Sequence, residues 1–247
     1  MGYIIRAIRA DEWRPLRELR LTALADPVAP VAFNETYAHA SAYEELVWRE
    51  RAERSAAEDG ITTFIGIEDP EDPAGGERPE DAAGPGDASG GRWVGMIVAS
   101  LESDQPVPTV HLMSVYLRPE HRGTGLARGL FEAAIGWAWQ RPVPRIERVR
   151  LWVHQGNPRA EAFYRKLGFA RTGAMVPDPK APSETEWEMA LPRPVRLDGT
   201  AGFAAGAVTV EGPAVSAPGR GSASGSAPAP GSASEPASAG PEPRPGR

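Results

Sequence analysis

Residues 216–247 contain no Val, Ile, Leu, Met, Phe, Tyr or Trp. Ser, Ala, Pro, Gly and a few charges cannot bury enough apolar surface to offset their ordering entropy. The end of the chain is therefore expected to be a disordered tail. Residues 68–91, EDPEDPAGGERPEDAAGPGDASGG, make a second break that is acidic, rich in Pro and Gly, and without an aromatic. Folding is thereby confined to one domain over residues 1–192, with the acidic segment as a long hairpin insertion. Residues 193–247 form the tail, although Val195, Leu197, Phe203, Val208 and Val210 leave its first part some apolar anchors.

The net charge of −6 is local, since residues 68–92 hold eight acids and two bases. The folded part is nearly neutral, which gives no electrostatic case for nucleic acid or an anionic membrane as partner. The chain has no cysteine, which excludes a disulfide scaffold, a Cys-ligated zinc, a thiol nucleophile and an iron–sulfur cluster. His39, His111, His121 and His154 show no short metal-binding spacing, and no metal is expected. No apolar run reaches the roughly 18 residues of a membrane span. The start lacks a signal core, and Arg6 breaks the myristoylation pattern after Gly2. The expectation is a soluble, cytoplasmic protein. Lys166 and Lys180 are the only lysines among 27 basic residues, a bias that points to a GC-rich bacterial genome.

Strand-like runs at 3–8, 62–67, 92–101, 109–117, 148–154, 169–175 and 185–191 alternate with helical patterns. Asp11 is placed to cap a helix with Trp13, Leu16, Leu19 and Ala23 on one face. Ser41-Ala42-Tyr43-Glu44 has the form of a capping box and predicts a helix over 42–57. A helix over 125–140 turns Leu126, Leu130, Ala134 and Trp137 inward. Asn157 and Pro158 open another as Ncap and N1, with Ala160, Phe163, Tyr164 and Leu167 as its stripe and Gly168 closing it. The order β-α-α-β-β-β-α-β-α-β-β predicts an α/β or α+β mixed sheet flanked by helices.

Chemistry concentrates in two places. In Val115-Tyr116-Leu117-Arg118-Pro119-Glu120-His121-Arg122-Gly123-Thr124-Gly125-Leu126-Ala127, a strand ends and two glycines precede a helix. N–H groups at a helix start lack intrahelical acceptors and, with the helix dipole, form an anion site. Glycine lets the backbone approach a phosphate or pyrophosphate, although such a pair also serves as a plain tight turn. A Walker loop is absent, and the dinucleotide fingerprint fails because Arg128 stands where its third glycine belongs. The run does match R-x-x-G-x-A through Arg122, Gly125 and Ala127.

The second place, Asn157-Pro158-Arg159-Ala160 running on to Tyr164-Arg165-Lys166-Leu167-Gly168-Phe169 after a strand, resembles the second signature of the GNAT superfamily of N-acetyltransferases. Arg122 to Ala127 resembles that superfamily's acetyl-CoA pyrophosphate loop. With Leu19 to Leu24 and Ala32-Phe33, the likeness covers residues 3–191, interrupted by the insertion.

The resemblance implies a mostly antiparallel sheet splayed between its fourth and fifth strands, 109–117 and 148–154. The pantetheine arm of acetyl-CoA would pair with Val115, Tyr116 and Leu117 like an added strand. The diphosphate would rest on N–H groups of Arg122, Gly123, Thr124, Gly125, Leu126, Ala127 and Arg128. Asn157 would bond the arm or order its turn, being an N-cap in either case. Tyr164 would lie near the thioester sulfur and protonate the departing thiolate as general acid, or else be a plain core tyrosine. A backbone N–H near Leu117 would polarise the acetyl carbonyl.

For the general base, the position where relatives carry a Glu on the fourth strand falls on His111, whose imidazole suits proton removal at neutral pH; a half-buried strand histidine is the other reading. His154 and Glu102 are weaker choices, and water is a further relay. Enzymes that acetylate ribosomal N-termini carry a Glu where this chain has Trp152.

The function implied is acetyl transfer from acetyl-CoA to a primary amine of a small molecule or peptide. The alternatives are an acyl-CoA-binding module without turnover and an interaction protein using the acidic insertion. Acceptor specificity is assigned to residues 26–42, the turn after Leu101 and residues 176–185. A homodimer is compatible with the resemblance, though no residue argues for one.

Overall fold

A computed structural model describes residues 2–69 and 91–194. The acidic insertion, its two ends excepted, and the tail beyond Pro194 lie outside the described residues. The strands are β1 (Tyr3–Ala7), β2 (Ile61–Glu68), β3 (Trp93–Glu102), β4 (Thr109–Leu117), β5 (Arg148–His154), β6 (Ala170–Pro177) and β7 (Thr185–Pro192). The helices are α1 (Trp13–Ala25), α2 (Ala29–Ala32), α3 (Tyr37–Ser41), α4 (Glu45–Ala56), α5 (Leu126–Gln140) and α6 (Pro158–Lys166). The expected order holds, with α2 and α3 added in a segment that reads as loop from sequence.

One sheet of seven strands runs β1-β2-β3-β4-β5-β7-β6. All its pairs are antiparallel except β4 with β5, the pair that needs a crossover and receives it from α5. That pair is short. Thr109 faces Arg148, Val110 faces Val149 and His111 faces Arg150; beyond them the two strands part. The expected splay is thus present.

Each face of the sheet carries its own core. On one side Phe131 of α5 and Phe163 and Tyr164 of α6 pack against Val110, Leu112, Val149 and Leu151. On the other, Leu19 of α1 and Trp48 of α4 cover Ile65, Ile67, Met96 and Tyr116. Covered on both sides, β2 is buried along its whole middle, including Thr62 and Thr63. Ser55 answers one of those hydroxyls, its Oγ bonding Thr63 Oγ1 at 2.8 Å.

Three local expectations need correction. Asp11 does not cap α1: Glu12 takes the N-cap position without a side-chain cap bond. Its carboxylate instead accepts from Arg9 N at 2.8 Å and from the Arg6 guanidinium of β1 at 2.9 and 2.5 Å. Ser41 does not open a long helix. It ends α3, its hydroxyl donating to Ala38 O, while Thr36 caps that helix by accepting from His39 N. The chain breaks at 42–44, and Tyr43 packs edge-on against His39 and Trp48 with centroids 5.0 and 6.0 Å away. Finally, Trp137 is only partly buried, and Ala138 is the fully buried residue of that last turn.

Candidate active site

β4 does not keep one alternation to its end. Met96 faces Tyr116 and Val98 faces Met113, so Ile97 alone opposes the two residues Ser114 and Val115. This is a β-bulge, and Ser114 takes a positive φ of 54° to make it. The bulge exchanges the faces of the strand. Val110 and Leu112 point to the α5–α6 core, and after the bulge Val115 and Leu117 do so, while Tyr116 joins the α1–α4 core. It lies where β4 has already lost β5, so the stretch 112–117 borders the fork.

The turn after β4 is held from several sides. Arg122 donates through Nε to Leu117 O at 3.2 Å and through Nη2 to Asp26 Oδ2 at 2.5 Å. Its own N–H is spent on Pro119 O. Arg122 therefore anchors the turn to β4 and to the end of α1 with its side chain, and open N–H groups begin at Gly123. His121 is buried and meets Tyr3 of β1, its Nδ1 lying 3.0 Å from the hydroxyl; burial lowers its pKa. Thr124 Oγ1 donates to His121 O.

Gly123 and Gly125 have φ of 96° and 92°, the left-handed region that side chains disfavour. Gly125 is the N-cap of α5 and has no capping side chain. The intrahelical ladder starts with Gly129 N donating to Gly125 O, and among the described residues no carbonyl outside the helix accepts from residues 123–128. The result is a helix N-terminus with uncapped N–H groups, reached by the turn that leaves the end of β4, with the polarity that suits a phosphate.

Across the fork, Asn157 follows β5. It is buried, and its Oδ1 accepts from Ala160 N at 3.0 Å, so the N-cap role is realised. About two turns on, Tyr164 is 2% exposed and packs among Phe131, Phe163 and Phe169, with centroids 5.5, 5.9 and 6.3 Å away. Burial alone raises its pKa, so the phenol keeps its proton at any physiological pH.

The base candidates separate. His111 is buried at the point where β4 and β5 part; its Nδ1 lies 3.5 Å from Glu102 Oε1, and its Nε2 is buried with no hydrogen-bond partner among the described residues. His154 is engaged at both nitrogens: Nδ1 accepts from Gly156 N at 3.1 Å and Nε2 lies 2.7 Å from Glu184 Oε2. Burial would raise the Glu102 carboxyl, but the neighbouring His111 imidazole and the bonded Arg150 guanidinium outweigh it and hold it at about 2. Trp152 carries no titratable group; the Arg150 guanidinium lies 5.5 Å from its ring.

The 178–184 turn is strapped to the segment after α1. Lys180 Nζ donates to Pro30 O and Phe33 O, and Asp178 orders the turn by accepting from Lys180 N and Ala181 N. Two of the three segments assigned to acceptor specificity thus meet. Sequence reasoning missed the Arg122–Asp26 anchor and the bulge. Neither has a local signal, because each depends on a partner far along the chain.

The model of the acetyltransferase (GNAT) family matches residues 33–169. A curated relative, mycothiol acetyltransferase from Thermobispora bispora, is 34% identical over 100 residues, which are 40% of this chain and 31% of that protein. The chain thus matches under a third of that relative's length. Among solved structures, a GNAT-family acetyltransferase from Streptococcus pneumoniae has a TM-score of 0.56 at 16% identity, over 77% of this chain and 99% of that one. Ribosomal-protein-S5-alanine acetyltransferase from Vibrio fischeri gives 0.57 at 14% identity, over 78% and 93%. Arabidopsis thaliana NAA60 in complex with acetyl-CoA gives 0.51 at 12%, over 77% and 98%. At these identities the structural likeness speaks for the fold. Among the described residues no helix is long and apolar enough to cross a membrane.

Proposed function

The chain belongs to the acetyltransferase (GNAT) family, and from that premise we propose that it transfers an acetyl group from acetyl-CoA to a primary amine by direct attack within a ternary complex. The observation that carries this reading is the fork between β4 and β5, bordered by the bulged end of β4, from which the turn leads directly into an α5 N-terminus with no side-chain cap. An extended arm with a diphosphate at one end fits such a surface: unpaired strand backbone for the arm, free N–H groups and two glycines for the anion.

In this reading Gly123, Thr124, Gly125, Leu126, Ala127 and Arg128 hold the diphosphate through their N–H groups. Arg122 contributes by fixing the loop. Val115, Tyr116 and Leu117 pair with the arm, and Asn157 orders the opposite wall. Acetyl-CoA supplies an activated acetyl group and a thiolate leaving group. His111 Nε2 accepts the amine proton as the new C–N bond forms. Tyr164 gives its hydroxyl proton to the sulfur as the C–S bond breaks, and solvent returns the proton from imidazolium to phenolate. No covalent enzyme intermediate is needed, which fits a chain without cysteine. The acceptor is a small-molecule or peptide amine bound between residues 26–42 and 176–185.

The test is thiol release from acetyl-CoA by the full chain over a panel of amines: a polyamine, an alanine-ended peptide, free amino acids and an aminoglycoside. Calorimetry with coenzyme A runs beside it. Turnover with one acceptor class supports the proposal. Tight coenzyme A binding without turnover on any amine replaces it with a binding module, and absence of both removes the cofactor assignment.

A further inference from the structure

The imidazole of His111 is one member of a polar line that crosses the sheet. Arg150 of β5 grips Glu102 of β3 with two bonds, Nε to Oε2 at 2.6 Å and Nη2 to Oε1 at 2.5 Å. Its remaining Nη1 donates to Glu188 of β7 at 2.9 Å, and Glu188 accepts from Thr172 of β6 at 2.6 Å. Glu102 Oε1, already held by Arg150, is also the oxygen 3.5 Å from His111 Nδ1. The line therefore touches β3, β4, β5, β7 and β6 in turn, and it crosses β4 and β5 at His111 and Arg150, their last pair before the fork.

We propose that Glu102 is a positioning residue for acetyl transfer: fixed by Arg150, its carboxylate keeps the proton of His111 on Nδ1 and leaves Nε2 as the bare lone pair that accepts the amine proton. The proposal rests on the reading of His111 as the base. A carboxylate only accepts hydrogen bonds, so the imidazole nitrogen facing it is the one that carries hydrogen. The guanidinium fork occupies both carboxylate oxygens and prevents Glu102 from swinging away. Held ionised down to about pH 2, Glu102 is too weak a base to take the proton itself. Its negative charge favours the imidazolium that forms when Nε2 is protonated. The buried, unpartnered Nε2 is then explained as the atom kept for the acceptor.

A competing account makes Arg150 and Glu102 a clamp alone, bridging β5 to β3 over β4 where the sheet begins to part. A clamp would protect stability and acetyl-CoA affinity but would have no reason to set a tautomer.

The experiment uses the full chain labelled with ¹⁵N-histidine. Long-range ¹H–¹⁵N spectra assign the neutral tautomer of His111, and steady-state kinetics follow kcat and KM against pH. In the wild type His111 is expected to carry hydrogen on Nδ1. Glu102→Ala is expected to mix the two tautomers and to lower kcat about 10- to 100-fold, part of the roughly 10²–10⁴-fold that general acid–base catalysis contributes. KM for acetyl-CoA should stay within about twofold, as expected when the loss falls on the chemical step. Glu102→Gln, which keeps an accepting oxygen, should restore much of the tautomer and of kcat.

A wild-type His111 with hydrogen on Nε2 overturns the proposal, and this measurement needs no variant to fold. A kcat loss in Glu102→Ala with the tautomer unchanged also overturns it, in favour of the clamp. His111→Gln, run in parallel, separates the underlying reading: an unaltered pH profile there removes His111 as the base, and Glu102's assigned role in catalysis falls with it.

Discussion

Gly125 and Tyr164 hold the two ends of the proposed reaction, and each permits a substitution that isolates one property. Gly125→Val puts a branched Cβ at a φ of 92°. The left-handed conformation costs an ordinary residue about 1–2 kcal/mol, so the domain should remain folded. The branch would stand where the diphosphate meets the backbone, and coenzyme A affinity should fall at least about tenfold, or roughly 1.4 kcal/mol. Calorimetry reads this directly, and unchanged affinity in a folded variant refutes the loop's assignment. Tyr164→Phe keeps the ring among Phe131, Phe163 and Phe169 and removes only the hydroxyl. General acid catalysis contributes about 10²–10⁴-fold. A thiol is a fair leaving group, so kcat should fall about 10²-fold with KM for acetyl-CoA little changed. Full kcat where chemistry limits turnover would make Tyr164 a core residue only. At this scale the sequence was informative wherever a role is local: Asn157 caps α6 as its Asn-Pro start predicts. It was silent where a side chain reaches across the chain, as Arg122 does to Asp26.

Among the elements, the stripes that a helix or strand must bury were readable, and the breaks between elements were not. Leu16, Leu19 and Ala23 declare α1, and Ala160, Phe163 and Tyr164 declare α6, because each buries one apolar face. The capping-box pattern at Ser41 misleads because a four-residue motif cannot report that Tyr43 has neighbours on both sides, His39 and Trp48. The bulge at Ser114 is likewise invisible in a strand whose residues are all compatible with either face. The β3–β5 tie through Glu102 and Arg150 carries a pH prediction. The folded Glu102 carboxyl sits at about 2, below its unfolded value near 4.5. A depressed carboxyl adds stability that is fully present above the unfolded value and is lost as pH falls through the folded one. Glu35 and Glu188 are lowered in the same direction: burial opposes, and the Arg partners of Glu35, and at Glu188 the Thr172 hydroxyl together with Arg150, prevail. The melting temperature should therefore fall steadily between about pH 4.5 and 2. Glu102→Gln should be less stable than wild type at neutral pH, with the difference narrowing over that window. A gap that stays constant with pH would show that the ionised carboxylate contributes nothing to folding.

For the whole molecule, the open question is where folding stops. The apolar content of the sequence puts the boundary at Pro192, the residue that ends β7. Arg193 nevertheless reaches back: its N–H donates to Glu147 O at 2.9 Å, and its guanidinium donates to Ile146 O at 2.8 Å and Trp139 O at 2.7 Å, lying over the Trp139 ring. These bonds join the end of the last strand to α5, the crossover helix, and to the segment that leads from it into β5. Arg193 thus belongs to the folded unit, and two truncations test how much it and the residues after Pro194 contribute. A chain ending at Pro194 should melt and bind coenzyme A like the full protein. A chain ending at Pro192 loses three hydrogen bonds, each worth about 1 kcal/mol net. For a domain of this size that lowers the melting temperature by roughly 6–12 °C. Coenzyme A affinity should change little in either, since Gly123 to Arg128 lie at the opposite end of α5 from Trp139. Equal melting of both truncations, matching the full chain, would reduce Arg193 to a surface contact. A large loss already in the chain ending at Pro194 would mean that the apolar residues Val195, Leu197, Phe203, Val208 and Val210 pack on the domain, and would move the boundary beyond Val210.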